Sequence, residues 1–77
     1  MMKEYERVAL TIDLPQYRLK SGDIGTIVDV TSDGAEYTLE FFTLDGETFA
    51  VLPVMREHIR PLGHGEVAHA RPVETVA

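Results

Sequence analysis

Seventy-seven residues without a cysteine allow one small domain and exclude a disulfide or a thiolate-bound zinc as its staple, so packing or a partner must hold it together. The net charge of −6 is unevenly placed: residues 1–20 carry four basic and three acidic groups, residues 21–55 carry seven acids and no Lys or Arg, and residues 56–77 carry three of each sign. An acidic centre forfeits the phosphate contacts that supply most non-specific nucleic-acid affinity, and Lys3, Arg7, Arg18 and Lys20 form the only basic cluster set against it.

At the amino terminus, MMKEYERVAL places Glu4, Glu6 and Arg7 where a signal peptide needs an apolar run. No apolar stretch reaches the length of a membrane span, and a soluble, cytoplasmic protein is expected. RVALTID then alternates, with Val8, Leu10 and Ile12 on one side, as a half-buried strand does. LPQYRLKSG is a longer loop, broken by Pro15 and closed by Gly22. DIGTIVDV is the next strand, with Ile24, Val28 and Val30 on the core side and Ile27 and Asp29 on the other.

AEYTLEFF has the cleanest alternation: Tyr37, Leu39 and Phe41 against Glu36, Thr38, Glu40 and Phe42. Asp-Gly turns at Ser32–Gly34 and Leu44–Gly46 flank it and predict two consecutive hairpins. In ETFAVLPV, Phe49, Val51 and Leu52 cannot all face one way on a regular strand, which predicts a bulge or a strand covered on both faces. VMREHIRPL predicts one helical turn around Met55–His58 and a brief last strand that buries Ile59 and Leu62. Residues 63–77 read as a disordered tail whose Val67, Val73 and Val76 are available to dock on a neighbouring chain.

The predicted fold is therefore all-β: a small SH3-like barrel of five antiparallel strands over residues 1–62, with one short helical turn near its end and a flexible tail. The expected core is Val8, Leu10, Leu19, Ile24, Val28, Val30, Tyr37, Leu39, Phe41, Val51 and Ile59. Asp13-Leu14-Pro15, Gly22-Asp23-Ile24-Gly25-Thr26, and Phe41-Phe42 followed by Asp45-Gly46-Glu47-Thr48 resemble, in combination, a small bacterial family described as domain of unknown function 4926. The resemblance covers about residues 5–62. It implies an SH3-like fold and a small gene paired with another, in the manner of antitoxins or immunity proteins. It brings no catalytic residue.

Few residues offer chemistry. In Gly22-Asp23-Ile24-Gly25 the glycines open a strand, not a helix, and Asp23 lies where an anion would be repelled, so the loop reads as a bend given freedom by Gly22 and Gly25. His58, His64 and His69 lack preorganisation as a zinc site, and neither metal nor cofactor is expected. A filled small barrel offers no cleft to separate the pKa values of Asp29, Glu36 and Glu40, and no nucleophile–base arrangement is present, so no enzyme activity is expected. The absence of Trp argues against the Pro-rich ligands of true SH3 domains.

Phe42 with Ile27, rimmed by Asp29, Glu36 and Glu40, and Tyr17 in the long loop are instead the candidate partner-binding residues. The expected role is a non-catalytic protein-interaction module that binds a basic protein, the product of a neighbouring gene, with self-association a further option. An accessory or regulatory subunit of an enzyme is the alternative. Nucleic-acid binding through Lys3, Arg7, Arg18 and Lys20 is the weakest of the three.

Overall fold

A computed structural model describes residues 2–73 of the chain. Val76, one of the expected docking valines, lies outside them. Strands β1 (Arg7–Leu10), β2 (Ile24–Val30), β3 (Glu36–Phe42), β4 (Thr48–Met55) and β5 (Ile59–Pro61) form one antiparallel sheet in the order β4-β3-β2-β1-β5. The all-β expectation holds, and β4 and β5 are the two edges of the sheet. The only helical pieces among the described residues are 3₁₀ turns at Pro15–Tyr17 and Arg56–His58. The second was expected. The first was not, and it follows from Pro15, whose fixed φ suits an opening helical position.

The two hairpin turns share one construction. In Thr31-Ser32-Asp33-Gly34 and in Thr43-Leu44-Asp45-Gly46 the threonine hydroxyl donates to the aspartate, and the glycine N–H donates back to the threonine carbonyl. Gly34 and Gly46 take φ of 70° and 89°, the left-handed region that favours glycine, so the turns close without steric cost. Each threonine hydroxyl also accepts an N–H from beyond its turn, from Glu36, two residues after Gly34, and from Glu47, directly after Gly46.

The core comprises Val8, Ala9, Leu10, Leu19, Ile27, Tyr37, Leu39, Phe41, Leu52, Val54 and Ile59. Fully burying one such large apolar side chain stabilises the fold by roughly 1.5–3 kcal/mol. Four expected core positions differ: Ile24 is 38% and Val51 56% exposed, while Val28 and Val30 are half-buried. For the three on β2 the phase of that strand is the reason. Gly25, not Ile24, faces inward because the Phe41 ring occupies the space there: a Cβ added at Gly25 would lie 2.9 Å from Phe41 Cε2. Ile27, two residues on, is then fully buried opposite Leu39. A bulge between Ile27 and Asp29 returns Val30 to the inner face opposite Tyr37. Gly22 has the expected positive φ of 94°, but Gly25 does not, so its smallness and not its freedom is what the fold uses.

In β4 the expected irregularity is a bulge at Phe49, between the pairs Phe41↔Ala50 and Phe42↔Thr48. It puts Leu52 and Val54 inward and Val51, Pro53 and Met55 outward. Because β4 is an edge, its outer row of backbone groups is a template for pairing. The Arg56 N–H donates to the Ala35 carbonyl, which sets the ladder alternation so that Thr38↔Pro53 is a non-hydrogen-bonded pair. The N–H that Pro53 lacks would thus point to the open edge, and the proline removes a donor there without weakening the sheet.

Candidate interaction surface

Four of the candidate partner residues lie on the outer face of the sheet. On β3 the side chains of Glu36, Thr38, Glu40 and Phe42 alternate with the inward Tyr37, Leu39 and Phe41. Cross-strand register sets Asp29 beside Thr38, so Asp29 lies diagonal to both Glu36 and Glu40. Glu40 is half-buried and accepts a 2.7 Å hydrogen bond from the Thr48 hydroxyl, which fixes its carboxylate over β4. Phe42 is 49% exposed, so neither a loop nor the curvature of the sheet covers it.

Ile27 does not belong to this surface. It has no exposed area, because it follows Gly25 on the inner face, and a partner cannot reach it. Ile24, which pairs with Ala9 on β1, takes the outward position instead. Val51, opposite Glu40, and Met55, opposite Glu36, extend the apolar part of the face onto β4. Sequence reasoning missed these two because Val51 and Leu52 compete for the core, and only the bulge at Phe49 decides between them. Tyr17 stands apart. It lines a groove of about 390 Å³ with Arg18, Thr43, Glu47, Phe49 and Ala50, and no other candidate partner residue lines it.

The outer face thus mixes three carboxylates with exposed Phe42, Val51, Met55 and Ile24. Two cations lie in register with its rows: Arg7 on β1, opposite Thr26, and Arg60 on β5, opposite Ala9 in the row of Ile24. The turns add anionic charge at either end of β3. The Thr31 hydroxyl and the Ala35 N–H lower the pKa of Asp33, and the Thr43 hydroxyl chiefly lowers that of Asp45, so both stay ionised well into the acid range.

Among the described residues no polar or charged side chain is buried, and no three His, Asp or Glu side chains converge to hold a metal ion. His64 and His69 are exposed and His58 is half-buried. No helix among the described residues is long and apolar enough to cross a membrane.

The model of the family described as domain of unknown function (DUF4926) matches residues 4–61. The chain belongs to this family. The match runs from just before β1 to the last residue of β5, so the DUF4926 unit is the complete sheet, and the segment from Leu62 onward lies beyond it. No curated protein and no solved structure matches the chain.

Proposed function

We propose that this DUF4926 chain is a non-catalytic interaction module whose outer sheet face receives a basic protein. The observation that carries the reading is the grouping of Asp29, Glu36 and Glu40 around exposed Phe42, Val51 and Met55 on one face of the sheet. Apolar anchors supply affinity on such a face, and the rim of one charge sign selects the partner and speeds encounter. We read the five-stranded antiparallel sheet, in the order β4-β3-β2-β1-β5, as an SH3-like barrel whose hairpin ends and one sheet face are free for recognition.

We read the partner as the product of an adjacent gene and the role as masking a basic site, in the manner of an antitoxin or immunity protein in the cytoplasm. Co-expression and co-purification with that product test the reading. A stable complex and relief of any toxicity support it. Absence of both, with the two proteins folded and soluble, ends it.

A further inference from the structure

We propose that the loop between β1 and β2 is a guanidinium-binding cradle, and that the chain's own Arg71 occupies it as a tethered ligand. Arg71 Nε donates to Asp23 Oδ1 at 3.0 Å, while Nη2 donates both to Asp23 Oδ2 and, at 3.1 Å, to the Arg18 carbonyl. A carboxylate taking two parallel bonds and a carbonyl beside it match the planar fork of arginine. A lysine ammonium, a point charge, cannot span them in the same way. The contact joins residues 48 apart in sequence.

The loop is also fastened by contacts that do not involve Arg71. Asp23 Oδ2 accepts the Lys20 N–H at 2.8 Å, and the Asp23 N–H donates to the Lys20 carbonyl at 3.0 Å. The Asp23 carbonyl accepts the Leu10 N–H and the Gly22 N–H donates to the Leu10 carbonyl, so the turn is fastened to the last residue of β1. Asp13 Oδ1 holds the Ser21 N–H at 2.9 Å. Arg18 adopts φ 59°, a left-handed conformation costly for any residue but glycine, and in that conformation its carbonyl receives Arg71.

A groove of about 400 Å³ lined by Asp13, Pro15, Arg18, Leu19 and Lys20 runs beside this point, with Arg71 and Pro72 seated along it. The Arg71 and Asp23 side chains retain only 22% and 20% of their exposure, against 47% and 37% for the local Arg60–Glu66 pair. Pro72 restricts Arg71 to extended backbone, so the motif presented to the cradle is an extended Arg-Pro dipeptide.

The ligand class that follows is an arginine–proline segment of a basic protein, for which the tail is the internal competitor. A short tether holds Arg71 at an effective concentration in the millimolar range, so a ligand added in trans must compete with it. The cradle is distinct from the outer sheet face and stands or falls separately from the function proposed above.

The test uses the full chain and the peptide Ala-His-Ala-Arg-Pro-Val, which copies residues 68–73. The amide resonances of Ser21, Gly22 and Asp23 report occupancy. R71A alone should shift them, and the peptide should bind R71A about five-fold more tightly than it binds the wild type, the internal competitor having been removed. Binding should vanish in D23N/R71A and weaken when lysine replaces the peptide arginine. The lysine peptide carries the same decision should the double variant fail to fold. No shift in R71A, equal affinity for R71A and wild type, or binding indifferent to both D23N and the lysine exchange would overturn the proposal.

Discussion

Replacing Gly25 by alanine probes the contact that sets the phase of β2. The added Cβ would stand 2.9, 3.0 and 3.2 Å from Phe41 Cε2, Cζ and Cδ2. The φ of Gly25 is not in the left-handed region, so the backbone accepts alanine and the whole penalty is steric. The Phe41 ring is 3% exposed and sits in the core cluster with Leu39 and Leu52, so it cannot swing clear without displacing them. Overpacking of this kind costs about 1–3 kcal/mol, and the entropy lost from the unfolded chain on Gly→Ala returns about 0.4–1 kcal/mol. The expected net destabilisation is about 1–2 kcal/mol, which lowers Tm by roughly 4–15 °C in a domain of this size.

Urea and thermal unfolding followed by circular dichroism measure it, and F41L supplies the control. Leucine vacates part of the ring's space, so G25A/F41L should be less destabilised than the two single changes added together. A G25A protein as stable as wild type, or strictly additive effects, would refute the reasoning.

Other outcomes follow from the same contacts. In T31A, Asp33 loses the hydroxyl that chiefly lowers its pKa, and carboxylate NMR titration should show that pKa rising toward the ordinary aspartate value. Glu66, held chiefly by the Arg60 fork and also by the Gly63 N–H, should titrate at about 2. Its folded pKa is depressed, so the Arg60–Glu66 contact contributes fully above the unfolded value near 4.5 and is lost as pH falls toward 2, which the Gly63 amide shift would report. P53T restores an N–H to the open edge of β4, and sedimentation should show stronger concentration-dependent self-association than the wild type shows.

The residues that made the fold legible are those whose chemistry is local. Asp-Gly at Asp33–Gly34 and Asp45–Gly46 sets both hairpins, and strict alternation from Glu36 to Phe42 sets β3 between them. What stayed hidden depends on partners distant in sequence. Three β-branched residues at positions 24, 28 and 30 outweigh Ile27 in any count by parity, yet the ring of Phe41 over Gly25 reverses the choice. Val51 and Leu52 are equivalent candidates until the bulge at Phe49 separates them.

The acidic outer face was legible for the same reason as β3: Glu36, Glu40 and Phe42 share a strand and a parity. The pairing of Asp23 with Arg71 was not, since nothing in either neighbourhood marks the other.

The outer face is tested most directly by the affinity between this chain and the adjacent gene product, compared for wild type and E36K/E40K. Both substitutions lie on the half-exposed outer row of β3 and leave the inner row of Tyr37, Leu39 and Phe41 intact. A measurable complex whose Kd weakens at least about tenfold on charge reversal, through a slower and less salt-sensitive association, is the predicted result. An unchanged Kd, or no complex from two folded proteins, would contradict the assignment of this face.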